Sequence, residues 1–234
     1  MEDLQGRVGL VVGASAGIGR SAAEHLIAAG VRVGAMARSA APLAELESRH
    51  PGRALALPGD ATDPKSVDEA FARLERELGP VELLVCCAGL VDPRPLVETT
   101  DEQWDRSIRA TLHSAFFPVR RALPSMLERR RGSIVCVASI SGVHGSSKLP
   151  GLVPYCAGKS AVIGFVEAIA AEVGPSGVRV NAVSPGSVDT PMLRAAAPGA
   201  VPAMSADEVA SSILFLLSDR SRPIQGQNLH VYSV

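Results

Sequence analysis

The chain has 234 residues, 47% of them apolar and 20% charged, with 22 glycines and 17 prolines spread rather than clustered, a composition that can bury a core and excludes a disordered chain. Lysine and arginine number 23 against 24 aspartates and glutamates, a net charge of -1 that gives no attraction toward nucleic acid or anionic lipid. No apolar run approaches the ~20 residues of a membrane helix and Met1-Glu2-Asp3-Leu4 lacks the features of a signal peptide, so the expected location is cytoplasmic.

A first strand is predicted over Val8 to Val12. Directly after it comes Gly13-Ala14-Ser15-Ala16-Gly17-Ile18-Gly19, which opens a helix marked by Ile18, Ala22 and Leu26 and stopped at Gly30. Such a turn presents free backbone N–H groups and a helix dipole to a phosphate, although a glycine turn alone is also an ordinary strand-to-helix connection. Further strands are predicted over Val31 to Ala37, Ala54 to Leu57 and Leu83 to Cys87. Thr100 with Gln103 has the spacing of a capping box, opening a long fourth helix on which Trp104, His113, Phe116 and Phe117 are expected as core and subunit contacts.

The fifth strand, Ser133 to Ala138, ends at Ser139. Tyr155-Cys156-Ala157-Gly158-Lys159 then opens a helix whose apolar stripe runs through Val162, Phe165, Val166, Ile169 and Val173 before Gly174. Tyr155 and Lys159 stand one turn apart on one face, where an ammonium can stabilise a phenolate and bring the phenol toward working pH. With two tyrosines and three lysines in the chain, chance produces such a pair roughly 3% of the time. A sixth strand covers Val178 to Val183, Leu193 to Pro202 is expected to be a mobile loop over the sheet edge, Ser205 with Glu208 forms a second capping box, and Asn228 to Val231 is a seventh strand. Cys86, Cys87, Cys136 and Cys156 show no metal-site or disulfide spacing and read as small core residues, with no metal implied. No repeat or linker interrupts the alternation of strands and helices, so residues 1–234 are expected to form one α/β domain around a parallel sheet.

The glycine turn, Cys87-Ala88-Gly89, Ser139, Tyr155 with Lys159, and Asn181-Ala182-Val183-Ser184-Pro185-Gly186 followed by Thr190 together resemble the short-chain dehydrogenase/reductase family, in its compact single-domain branch, over nearly the whole chain. The resemblance implies a Rossmann-type doubly wound sheet of about seven parallel strands with helices on both faces. It also implies a nicotinamide dinucleotide held by Gly13, Ser15, Ala16, Gly17, Ile18 and Gly19, with Asp60 and Ala61 at the adenine, Ala88 and Gly89 along its ribose, and Pro185, Gly186, Val188 and Thr190 toward the carboxamide. Tyr155 is then the proton donor or acceptor, Lys159 holds the nicotinamide ribose, and Ser139 holds the substrate oxygen. Where a carboxylate would accept bonds from the adenosine ribose stands Ala37, followed by Arg38 and Ser39, so NADP(H) is expected over NAD(H).

Three departures from the family pattern bear on function. Thr111 stands in place of an asparagine that helps hold a proton-relay water, so slower turnover is expected; Cys87 and Val12 replace a common asparagine and threonine. Ser139 and Tyr155 are 16 positions apart, longer than the family's usual spacing, with His144 in the enlarged loop as a weighed substrate contact against an ordinary solvated histidine. The segment Met192 to Met204 is short, leaving an open pocket suited to a bulky or carrier-tethered substrate. The expected activity is hydride transfer between nicotinamide and a small-molecule carbonyl or secondary alcohol, in the direction of reduction, by a homotetramer or homodimer. A catalytically weak dinucleotide sensor and a dehydratase or isomerase on the same scaffold are the alternatives.

Overall fold

In a computed structural model, residues 2–232 are described, and among them seven strands form one sheet in the order β3-β2-β1-β4-β5-β6-β7. They run Val8–Val12 (β1), Arg32–Ala37 (β2), Ala54–Pro58 (β3), Leu83–Cys86 (β4), Gly132–Val137 (β5), Val178–Pro185 (β6) and Asn228–Val231 (β7). Every pairing is parallel. Parallel strands need long crossovers, and the helices provide them: α1 (Gly17–Ala28), α2 (Ala40–Arg49), α3 (Pro64–Glu77), α4 (Asp101–Ile108), α5 (Ser114–Glu128), α6 (Val153–Val173), α7 (Pro191–Ala196) and α8 (Ala206–Leu217).

Because successive strand residues point to opposite faces, the continuous apolar runs supply two cores at once. On one face Leu10, Leu84, Ile134 and Val180 meet α3, α5 and α6 through Phe71, Val119, Met126 and Val166. On the other, Val11, Val85, Val135 and Val183 meet α1, α2 and α8 through Leu26, Leu43, Ile213 and Leu217. No helix among the described residues is long and apolar enough to cross a membrane.

Two predicted elements differ. The long fourth helix is broken into α4 and α5 by a π-type turn at Arg109–His113. It leaves Trp104 partly exposed and gathers His113, Phe116 and Phe117 with Phe165 of α6. The predicted loop at Leu193 to Pro202 begins inside α7, because Thr190 caps that helix by accepting a hydrogen bond from the Leu193 N–H and Pro191 suits its first position.

The strand order reverses between β1 and β4, and the carboxyl ends of the strands around that point are where a doubly wound sheet opens a crevice. All loops carrying the predicted site residues leave from this edge.

Candidate active site

At that edge lies a cleft of about 1190 Å³. Its walls include Gly13, Ser15, Ala16, Gly17, Ile18, Arg38, Ser39, Asp60, Ala61, Ala88, Gly89, Ser139, Tyr155, Lys159, Pro185, Gly186, Val188 and Thr190, the sequence-predicted residues save two. Gly19 lies behind the wall, where a Cβ would stand 2.2 Å from the Gly13 carbonyl oxygen, so its absent side chain lets α1 pack onto its own turn. Thr111 also lies behind it, buried in the π-type turn with its Cβ 3.0 Å from where a Cβ on Gly158 would be.

The start of α1 is built differently from those of α3, α4 and α8. Asp63, Thr100 and Ser205 each cap their helix with a side chain, whereas position 16 of the chain is alanine and makes no such bond. The first-turn N–H groups of α1 therefore face the cleft without a protein side chain to accept from them, which favours an anion. Gly13, at φ +87°, lets the backbone pass within reach of Ala88, and Gly17, at φ +54°, abuts Thr190.

At the β2 end, Arg38 is exposed, and its guanidinium makes no hydrogen bond or ion pair with the described residues. By contrast, Arg20 nearby is engaged by Glu24, Glu45 and the Pro42 carbonyl. Ser39 precedes α2 without using its hydroxyl as a cap. Asp60 is held by a local turn in which its carboxylate accepts from Thr62 N–H at 2.8 Å, while its own N–H donates to Ser66 Oγ at 2.9 Å.

Ser139, Tyr155 and Lys159 converge from β5 and the first turns of α6. The Ser139 Oγ accepts from Ser141 N–H at 3.1 Å, in the short 3-10 turn Ile140–Gly142, and the same hydroxyl is hydrogen bonded to Tyr155. Gly142 allows this turn to press on α6, since a Cβ there would meet the Lys159 backbone at 2.6 Å. Lys159 is 4% exposed; its ammonium donates to the Val137 carbonyl at 2.6 Å and lies 5.8 Å from the Tyr155 ring centroid.

The electrostatics differ from the sequence expectation that Lys159 acidifies the phenol. Burial holds the Tyr155 phenol above its ordinary value, opposed by the Ser139 hydrogen bond, and burial pushes the Lys159 ammonium down. The lysine stands over the ring face and spends its proton on a carbonyl, so in this state the tyrosine is a neutral acid with its proton in place. Burial also pushes the Cys87 thiol up to about 11, against the pull of Lys159.

His144 is exposed and is not among the residues lining the cleft, so the structure gives it no part in the site. Sequence reasoning missed Val91, Leu149, Leu152 and Met192 as cleft walls. Val91, Leu149 and Leu152 come from loop segments and Met192 from the short α7, where neither periodicity nor a spacing rule marks which apolar side chain turns inward. The short segment after Thr190 does not leave the cleft bare: Met192, Leu193 and Ala196 line it. It nevertheless remains larger than the ~300–1,000 Å³ of most small-ligand pockets.

The family model described as short chain dehydrogenase matches residues 7–200. The 3-oxoacyl-(acyl-carrier-protein) reductase FabG of Salmonella typhimurium is 34% identical over 237 residues, covering 97% of this chain and 96% of that protein. Among solved structures, a 3-ketoacyl-(acyl-carrier-protein) reductase from Brucella melitensis, complexed with NADH, superposes with a TM-score of 0.90 at 27% identity, covering 98% of both chains. A short-chain type dehydrogenase/reductase from Mycobacterium marinum gives 0.92 at 29% identity, covering 98% of this chain and 95% of its own. With a match of this extent at the level of family, sequence and fold, the chain belongs to the short-chain dehydrogenase family.

Proposed function

We propose that the chain is an NADP(H)-dependent reductase that converts a carbonyl compound to a secondary alcohol. The observation that carries this reading is the convergence of Ser139, Tyr155 and Lys159 in the same cleft as the uncapped end of α1. The dinucleotide's phosphates suit the Gly13-to-Gly19 turn, its adenine Asp60 and Ala61, its adenosine ribose Ala88 and Gly89, and its carboxamide Val188 and Thr190 beside Pro185 and Gly186. The nicotinamide, when bound, supplies the hydride.

The chain's own residues handle the oxygen. Ser139 donates to the carbonyl oxygen and so polarises it. Tyr155, neutral and loaded, gives that oxygen its proton as negative charge develops on it. Lys159, held by Val137, orients the nicotinamide ribose and faces the phenolate that remains. Thr111, without an amide, offers less to the proton relay behind Lys159.

Preference for NADP(H) rests on Arg38, the unpaired guanidinium at the β2 end, with the Ser39 hydroxyl beside it and Ala37 where a carboxylate would repel phosphate. Arg38→Ala is expected to weaken NADPH binding about tenfold or more, the range of one charge-assisted hydrogen bond, and to leave NADH unchanged. Tighter binding of NADH by the parent, measured by fluorescence titration, overturns the preference.

The relatives named above make 3-oxoacyl thioesters the first compounds to try, and the size of the cleft accommodates them. NADPH consumption across a panel of thioesters and simple ketones tests the activity. Tyr155→Phe is expected to lose at least ~100-fold in kcat, the smallest usual contribution of a positioned general acid; undiminished turnover by that variant removes the mechanism. The same proposal includes one domain and a homotetramer or homodimer closing over the half-buried Phe116, Phe117 and Phe165, and light scattering at the monomer mass contradicts the assembly.

A further inference from the structure

The segment between β6 and α8 leaves the sheet and returns, and both of its stems come down on one helix. The outgoing stem carries Thr190, whose methyl lies 3.0 Å from the place a Cβ on Gly17 would take. The returning stem is joined to the outgoing one by a bridge between Val188 and Met204, with the Asp189 N–H donating to Met204 O and the Ala203 N–H to Ser187 O, each at 2.9 Å. It then enters α8, where the Asp207 carboxylate accepts a 2.5 Å hydrogen bond from the Ser21 hydroxyl. Gly17 and Ser21 are one turn apart and face the same way. Helix α1 is thus the platform under both stems, and its N-terminus, which no side chain caps, opens on the cleft.

Ser21 is 6% exposed, although its partner carboxylate reaches in from the surface. His25, a turn further on, completes a Ser–His–Asp trio without the geometry of a nucleophile. Its Nδ1–H donates to the Ser21 carbonyl at 2.9 Å, and the serine hydroxyl donates to the carboxylate, so no base takes the serine proton. The bond is left with a mechanical role.

We infer that Ser21 and Asp207 are positioning residues that couple dinucleotide binding at the N-terminus of α1 to the seating of residues 188–204 on the cleft. The inference rests on the proposed dinucleotide site. A ligand that engages the α1 N–H groups together with Val188, Thr190 and Met192 needs these two walls in a fixed relation, and a bond that sets the relation beforehand lowers the cost of ordering them on binding. Coupling of this kind is reciprocal, so the ligand should in turn hold the segment down.

The test compares the parent with Ser21→Ala, Asp207→Ala and Asp207→Asn. It measures NADPH affinity, protease cleavage within residues 191–203 with and without NADPH, and the thermal midpoint of the ligand-free protein. Ser21→Ala and Asp207→Ala are expected to bind NADPH about fivefold or more weakly and to lose its protection of the segment. Asp207→Asn, whose amide oxygen accepts the same hydroxyl, is expected to match the parent. A lowered midpoint with unchanged affinity and unchanged protection marks a purely structural bond and overturns the inference alone. A parent protein that binds neither NADPH nor NADH overturns the dinucleotide reading and the inference together.

Discussion

Cys87 shares the cleft with Tyr155 and Lys159, and its thiol, pushed up to about 11, is neutral at physiological pH. At pH 7.5 it carries on the order of a hundredfold less thiolate than an unperturbed cysteine near ~8.5, so alkylation there should be slow and should accelerate only in strong base. Peptide-mapped alkylation against pH measures this, and rapid labelling of Cys87 at pH 7.5 contradicts it. Thr111 presents a different problem: its hydroxyl is buried and finds no hydrogen-bond partner among the described residues. Thr111→Val keeps the shape and removes the orphaned group, so a gain of ~1 kcal/mol in unfolding free energy is expected. Thr111→Asn should instead raise turnover if proton relay limits it; a variant no faster than the parent ends that idea. The identities of Ser139, Tyr155 and Lys159 were legible in the sequence because a strand end and one helical turn fix where such side chains emerge. Their ionisation was not, since it is set by burial and by which carbonyl the ammonium reaches.

At the scale of elements, the capping boxes at Thr100 and Ser205 were readable and both form, because each needs only four consecutive residues. The Asp63 cap on α3 went unnoticed, although Asp63-Pro64 is a local signal of the same kind. The π-type turn left no mark in the periodicity of the fourth helix; its extra residue per turn is paid for by packing of Thr111 on Gly158, a contact between segments far apart in sequence. The contrast between capped and uncapped helices yields a direct test. Ala16→Asp supplies α1 with the cap it lacks, which should stabilise the ligand-free protein by about 0.5–2 kcal/mol. The same carboxylate stands where phosphates are proposed to bind, so NADPH affinity should fall. Thermal unfolding and fluorescence titration read the two effects separately, and a rise in both stability and affinity would refute the phosphate site.

For the molecule as a whole, seven parallel strands were legible from the alternation of short apolar runs with helical stripes, and the doubly wound arrangement followed from the family resemblance, whereas the order of the strands emerges only in the structure. The walls of the cleft were less legible, since they come from loops that the sheet tolerates in many forms. One residue ties global stability to activity. Lys159 is buried with a carbonyl as its hydrogen-bond partner, and its lowered pKa means that the ammonium is less favourable in the folded chain than in the unfolded one. That penalty is fully present below the folded pKa and fades as pH rises from there toward the unfolded value near ~10.4. Lys159→Met is therefore expected to be inactive yet more stable than the parent at pH 7, by about 1 kcal/mol, with the gap narrowing in alkali. Denaturant unfolding at pH 7 and pH 10 checks it, and a variant less stable at pH 7 contradicts it.

Such a position records a lineage's history. Among descendants freed from the need to turn over substrate, selection for folding alone would replace this lysine early, while the glycines of the first turn, enforced by backbone geometry, would persist. A paralogue keeping Gly13 and Gly17 but carrying an aliphatic side chain at position 159 would thus be a retired enzyme, still folded and no longer reducing anything.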